Sequence, residues 1–192
     1  MSLITQALVT AAEAEDYCQI QSPEHDVVIE RIINGVSQMF STYSSRAFMT
    51  TLYTALALDG NGRDVFYLPA WPVTVAPTVT LDTVLLTITT HYLQDLPSGK
   101  LMRVGGVWTK GTQNLLITYT AGYTAALLPA DLKLAALTQI AAQYQRFITK
   151  DHGVTFASVQ GSSVSHVEGG LLPEVKEIFD LYRSWRASWK SR

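Results

Sequence analysis

The chain has one cysteine among its 192 residues, Cys18. A single thiol cannot form an intrachain disulfide or a thiolate metal cluster, so we expect a reducing compartment and a buried, apolar environment for Cys18. The N-terminus lacks the basic and apolar regions of a signal peptide, and no stretch approaches the ~20 apolar residues that a membrane-spanning helix needs. We therefore expect the protein to be made and assembled in the cytoplasm, without a membrane partner.

Charged residues are also scarce. They form 16% of the chain, whereas about a quarter is usual in soluble domains. This scarcity indicates that neighbouring subunits cover part of the surface, although an ordinary monomer rich in Thr and Ser is the alternative. The formal net charge of −2 argues against a generally basic, nucleic-acid-binding protein.

Signatures of catalysis and of metal binding are missing as well. The histidines show no metal-ligand spacing and lie at positions 25, 91, 152 and 166. The Gly-x-Ser-x-Gly nucleophile pattern and the glycine-rich phosphate loop are both absent. We therefore predict a protein that is not an enzyme and has no metal or cofactor. The alternative is a hydrolase of unrecognised class that uses Ser165 and His166.

Hydrophobic periodicity predicts helices at both ends of the chain. A first helix is expected up to Asp16, a second from Pro23 with Ser22 as its N-cap, a third over about Ala130–Lys150 and a last one from near Pro173. The inward stripe of the second helix is predicted to be Val28, Ile32, Val36, Met39 and Tyr43, thickened by Ile29, Ile33 and Phe40. The third helix is predicted to face inward with Leu134, Leu137, Ile140 (or Ala141), Tyr144 and Phe147 (or Ile148).

Residues 46–128 have a different composition, rich in threonine, valine and tyrosine with recurrent turn signals, which predicts strands. The turn Asp59–Gly62 is predicted to join Phe48–Leu58 to Val65–Leu68 as a hairpin. Further strands are expected at Val73–Leu81, Val84–Thr90, Leu101–Val104 and Leu115–Thr120. The predicted fold is therefore α+β but mainly helical. Residues 1–45 and 129–192 form a bundle of about four helices with an extended C-terminal docking segment, and residues 46–128 form a β-rich insertion between helices 2 and 3.

Two C-terminal segments are candidates for partner binding. The segment from Gly161 to Ser165 would make a poor strand alone but could add to the edge of a partner's sheet. We expect such pairing to involve Phe156, Val159, Val164 and Val167. The last ten residues hold four basic side chains and no acidic one, together with two tryptophans. Because Trp and Arg are enriched at interface hot spots, we predict a docking tail rather than a merely solvated surface, formed by Trp185, Arg186, Trp189, Lys190 and Arg192.

Several short motifs occur in a characteristic order along the chain. They are Tyr43-Ser44-Ser45-Arg46-Ala47-Phe48, Asp59-Gly60, Leu68-Pro69, Pro72-Val73, Ala121-Gly122-Tyr123, Leu128-Pro129 and Asp131-Leu132-Lys133 leading into Ala135. In this order they resemble the head-tail connector (adaptor, or head-completion) proteins of tailed bacteriophages.

The resemblance implies a structural subunit of the virion neck, at the head-tail junction. Its expected partners are other copies of itself in a dodecameric ring, the portal protein, and a stopper or tail-terminator protein. It also implies that genomic DNA passes through the ring without sequence-specific binding, and that the C-terminal segment reaches the portal. Another neck or tail-completion protein of similar fold is the alternative.

Overall fold

The fold is described from a computed structural model, for residues 2–20, 23–149, 156–159, 162–165 and 170–183. The chain divides into two compact units. The helical unit comprises Met1–Ser44 and Leu128–Arg183, and the β unit comprises Ser45–Leu127.

The described part of the helical unit contains α1 (Ala11–Cys18), α2 (Asp26–Ser44), α3 (Ala130–Thr149) and α4 (Pro173–Leu181), with a 3-10 turn at Pro23–His25 before α2. The start of α1 is fixed by a capping box, in which Thr10 Oγ1 accepts a hydrogen bond from the Glu13 amide and the Glu13 carboxylate accepts one from the Thr10 amide. Pro129 precedes the first residue of α3, where a helix tolerates its missing N–H. Local signals therefore account for where α1 and α3 begin.

The core of the helical unit comes from one face of each long helix. Its fully buried side chains are Ile29, Ile33, Val36 and Phe40 of α2, Leu132, Ala135, Ala136 and Ile140 of α3, and Val175 and Phe179 of α4. The predicted inward faces were partly wrong. On α3, Leu134 is 53% exposed and Phe147 is 37% exposed, because the alanine side of the helix packs inward and admits the larger side chains of its neighbours.

The β unit contains two antiparallel sheets in its described residues. One is four-stranded in the order β1-β7-β3-β4 and the other is three-stranded in the order β2-β6-β5. The strands are β1 (Thr51–Gly60), β2 (Val65–Tyr67), β3 (Val73–Leu81), β4 (Val84–Leu86), β5 (Tyr92–Asp95), β6 (Lys100–Arg103) and β7 (Gly111–Ala121). The inner faces of both sheets share one hydrophobic core, which includes Phe66, Val79, Tyr92, Leu101, Trp108, Leu115 and Ile117.

The predicted hairpin at Asp59–Gly62 was wrong. Strand β1 pairs along β7, from Thr51 opposite Ala121 to Gly60 opposite Gly111, while β2 pairs with β6. The turn residues hydrogen-bond elsewhere, since the Gly60 amide donates to Asn114 Oδ1 and the Gly62 amide donates to the Trp108 carbonyl. The turn therefore carries the chain from one sheet to the other instead of closing a two-stranded ladder.

The predicted mainly helical fold class must also be corrected. The described chain is an α+β fold in which four helices accompany antiparallel sheets. The β residues lie between α2 and α3, and their two sheets enclose a hydrophobic core of their own.

A further antiparallel pair follows α3. Strands β8 (Phe156–Val159) and β9 (Ser162–Ser165) pair from Phe156 opposite Ser165 to Val159 opposite Ser162. Across the described ranges, no helix combines the length and apolar character needed to cross a membrane.

Candidate assembly surfaces

Helix α4 precedes the predicted docking tail in the chain and is anchored to the other helices. Its Phe179 is fully buried and stacks on Phe40 of α2, with ring centroids 3.9 Å apart and planes inclined by 24°. The entry to α4 is held by Gln139, whose Oε1 accepts a hydrogen bond from the Leu172 amide at 2.9 Å. Residues 184–192 follow directly in the chain, so they continue from an anchored helix.

Polar contacts fix the end of α4 on both long helices. The Tyr182 hydroxyl donates to the Asp131 carboxylate of α3 at 2.7 Å, and the Tyr43 hydroxyl of α2 donates to Asp180 at 2.5 Å. Burial first, and then the hydrogen bond to Asp180, raise the pKa of Tyr43 to about 12. The Arg183 guanidinium lies 5.4 Å from the centroid of the Tyr43 ring. These bonds connect the last described residues of the chain to α2 and α3.

The predicted partner-binding side chains are not among those whose contacts the structure describes. Trp185, Arg186, Trp189, Lys190, Arg192 and Val167 are outside the described residues. Phe156, Val159 and Val164 fall on β8 and β9, which are described by their backbone pairing. Both sets of predicted contacts stay predictions.

A groove on the helical unit is lined by apolar side chains and two arginines. It has a volume of about 440 Å³ and is lined by Val28, Arg31, Ile32, Gln143, Arg146 and Phe147. The His25 ring contacts the ring of Phe147 edge-on at 6.1 Å between centroids. Sequence reasoning missed this groove because it assigned Val28, Ile32 and Phe147 to the core.

The β unit brings together two of the motifs that carry the family resemblance. The amide of Tyr123 donates to the carbonyl of Phe48 at 2.7 Å, and the amide of Thr50 donates to the carbonyl of Tyr123 at 2.9 Å. Gly122 has a φ of +112°, and a Cβ added there would lie 2.5 Å from the Met49 carbonyl oxygen. Glycine is therefore required at this position both for its backbone conformation and for the close approach.

Arg46, from the first of these two motifs, packs against two aromatic rings of the β unit. Its guanidinium lies 3.9 Å from the centroid of the Trp71 ring and 5.0 Å from that of Phe48, and it donates a hydrogen bond to the Trp71 carbonyl. Burial lowers the pKa of Arg46 to about 10. The contacts are internal to the β unit, so they indicate that this motif residue has a structural role.

Metal binding and hydrolysis each need particular arrangements of titratable side chains. Within the described ranges, no three His, Cys, Asp or Glu side chains come together in a way that could hold a metal ion. His166 lies outside the described residues, so the hydrolase alternative rests on the sequence alone. Cys18 is half-buried, and burial raises the pKa of its thiol.

Comparisons with known proteins point to one family. Similar solved structures include chains from the neck of an empty gene transfer agent (GTA) particle computed with C6 symmetry (16% identity, TM-score 0.60) and from the virion of a native GTA particle (16% identity, TM-score 0.59). Each alignment covers 96% of this chain and 93% of the other. A chain from the neck of a native GTA particle computed with C12 symmetry is 19% identical, with a TM-score of 0.56 and coverage of 96% and 92%.

At these identities the structural likeness shows a shared fold. A search of proteins with curated functions found no match. The family model described as head completion protein, in contrast, matches residues 7–185, which span the helices and both sheets of the β unit. The chain therefore belongs to the head completion protein family.

Proposed function

We propose that this protein is a structural subunit of the virion neck, where copies of it form a ring between the portal of the head and the tail components. The observation that carries this proposal is the head completion family match over residues 7–185. The same fold in necks of GTA particles computed with C6 and C12 symmetry supports a ring, and the family resemblance suggests twelve copies.

In this proposal the ring extends the DNA channel and offers a platform for a stopper or tail-terminator protein. A conduit needs no strong binding to DNA, because tight phosphate contacts would slow its passage. The low charge content and the net charge of −2 are compatible with such a role. Genomic DNA therefore passes through the ring without sequence-specific contacts.

The ring docks on the portal through the C-terminal tail. Trp185 and Trp189 are the proposed anchors, with Arg186, Lys190 and Arg192 at the polar rim. The support is the position of this segment immediately after α4, whose end is tied to Asp131 and Tyr43.

Strands β8 and β9 contribute a second contact, since a two-stranded hairpin is only marginally stable alone and has free edges. Higher amide protection of these strands in the ring than in the free subunit is the expected result, and equal protection would contradict it.

The docking proposal is tested with matched tail variants in the parent particle. The double variant Trp185→Ser/Trp189→Ser should assemble as a subunit but fail to co-purify with portal-bearing heads, leaving heads filled with DNA and without tails. Ser184→Ala/Ser188→Ala changes two sites in the same segment and should behave as the wild type. Wild-type head attachment by the tryptophan variant would refute portal docking through this tail. Recovery of the protein on purified tails, and not on heads, would favour the tail-completion alternative.

A further inference from the structure

The outer face of the four-stranded sheet exposes several large apolar side chains between threonines. Alternation along β7 sends Leu115, Ile117 and Tyr119 into the core, so Leu116, Thr118 and Thr120 point outward. Two rows of side chains cross this face in register, Leu52–Thr120–Val75 and Ala57–Leu116–Thr80–Leu85. Their large members are well exposed: Leu52 by 64%, Leu85 by 63%, Val75 by 58% and Leu116 by 39%.

This face carries little charge. Residues 51–58, 73–81, 84–86 and 115–121 include no Asp, Glu, Lys, Arg or His, and the charged residue of the four strands is the exposed Asp59 near the end of β1. Four strands about 4.8 Å apart and about seven residues long give a footprint of roughly 450 Å². The exposed leucines and valines occupy part of this footprint and threonines much of the rest, and exposed apolar side chains that lie together often mark an interaction site. A sheet face that meets solvent normally carries charged or strongly polar side chains. The exposed leucines and valines of the four-stranded face are therefore suited to contact with a protein partner.

The three-stranded sheet offers a second exposed face. Its outer rows are Val65–Met102–Leu93 and Tyr67–Lys100–Asp95, with Leu93 45% exposed and Tyr67 43% exposed. Because Phe66, Leu101 and Tyr92 on its inner side share the core with the other sheet, this outer face points away from the four-stranded one. Lys100 and Asp95 lie opposite each other, so their formal charges cancel locally.

We propose that, in the ring, the outer face of the four-stranded sheet of one subunit packs on the outer face of the three-stranded sheet of the next subunit. This inference rests on the proposed ring function. A closed ring requires two different, mutually complementary faces on each subunit, and the β unit presents two such faces on opposite sides. The faces do not repel each other, because the four-stranded face carries one carboxylate, Asp59, and the formal charges of Lys100 and Asp95 on the other face cancel; the apolar side chains can interdigitate as in sheet-on-sheet packing.

A second copy of this chain is the occupant that uses both faces at once. In a head-to-tail ring every subunit covers the four-stranded face of one neighbour and the three-stranded face of the other. A self-complementary contact of either face with itself would instead close a pair and leave the remaining face exposed on each subunit. A different virion protein would leave one of the two apolar faces without a role.

Thiol cross-linking tests this arrangement in the full-length chain. In a Cys18→Ser background, Leu85→Cys marks the four-stranded face and Leu93→Cys marks the three-stranded face. With a short bis-maleimide, the double variant should give a ladder of covalent oligomers on a denaturing gel, from pairs up to the ring. Each single variant should give monomers. The matched control Leu52→Cys/Leu85→Cys, with both thiols on one face, should also remain free of chain-to-chain products.

Each other outcome counts against the proposal. Pairs formed by a single variant or by the one-face control would indicate a self-complementary contact. Cross-links that join Leu85→Cys to the portal or to another virion protein would give the face a different occupant. Immunoblots of purified particles distinguish a failure of the packing proposal from a failure of the ring function. If the protein is present in the neck but gives no cross-linked ladder, only the face-to-face packing is refuted. If the protein is absent from particles, the ring function and this packing are both refuted.

Discussion

The stacking of Phe179 on Phe40 provides the sharpest test of how the helical unit is held together. Phe179 is completely buried, and its ring centroid lies 3.9 Å from that of Phe40. The substitution Phe179→Ala should cost about 3–5 kcal/mol, the usual range for removing a buried phenylalanine. This is a large share of the roughly 5–15 kcal/mol that stabilises a typical domain.

The loss should be concentrated in α4. A nine-residue helix is not stable alone in water, because most helical stability comes from packing. Hydrogen exchange of residues 173–181 should therefore rise strongly in Phe179→Ala, with a smaller change in α2. Leu181→Ala is the control on the same helix, since Leu181 is 79% exposed and should change the free energy of unfolding by less than about 0.5 kcal/mol.

Two results would refute the reasoning about α4. One is a cost below about 1 kcal/mol for Phe179→Ala in denaturant unfolding, which would mean that the ring is not the principal anchor. The other is an equal loss of protection in α2 and α4, which would mean that α4 does not respond as a separate element. Because residues 184–192 follow α4, the variant should also attach to heads less well than Leu181→Ala does.

For three further substitutions we predict the change in the free energy of unfolding. Gly122→Ala should destabilise the protein by about 1–3 kcal/mol in denaturant unfolding, because it combines positive φ with a clash at the Met49 carbonyl; a neutral result would contradict the required close approach. Gly35→Ala should stabilise it by about 0.5–1 kcal/mol, since this exposed helical glycine has no atom within 4 Å of an added Cβ; destabilisation would reveal a contact. Glu13→Gln should cost about 0.2–1 kcal/mol at pH 7 by removing the contact with Lys133. That contact lowers the pKa of Glu13 below 4.5, so its contribution is present above pH 4.5 and lost as the pH falls through the lowered value. The difference from wild type should therefore vanish in acid, and a difference that persists there would rule out the ion pair as its cause.

Local sequence signals predicted several elements closely. Strand β3 spans Val73–Leu81 as expected, and α3 spans Ala130–Thr149 against a predicted Ala130–Lys150. Alternation, β-branched residues and a proline before the helix act over a few neighbouring residues, so they can be read from the chain. The family resemblance, carried by motifs such as Ala121-Gly122-Tyr123, is confirmed by the family match.

Pairing and burial were harder to predict. The Asp59–Gly62 turn has hairpin chemistry, yet β1 pairs with β7, a strand more than fifty residues further along the chain. On α3, the larger side chains Leu134 and Phe147 were expected inside, whereas Ala135 and Ala136 are buried. In both cases the nearby residues permit two arrangements, and the choice depends on elements that are remote in sequence.

The sequence by itself determined the class of molecule: a chain poor in charge, with one thiol, without catalytic signatures, and with ordered motifs shared by a neck-protein family. Only the tertiary structure decided that residues 45–127 form two sheets around a core, and that this leaves a face of exposed leucine, valine and threonine side chains on the outside. The physical reason is range. Turns, caps and alternation are fixed by interactions within a few residues, whereas the exposure of a face is fixed by whatever packs against its other side.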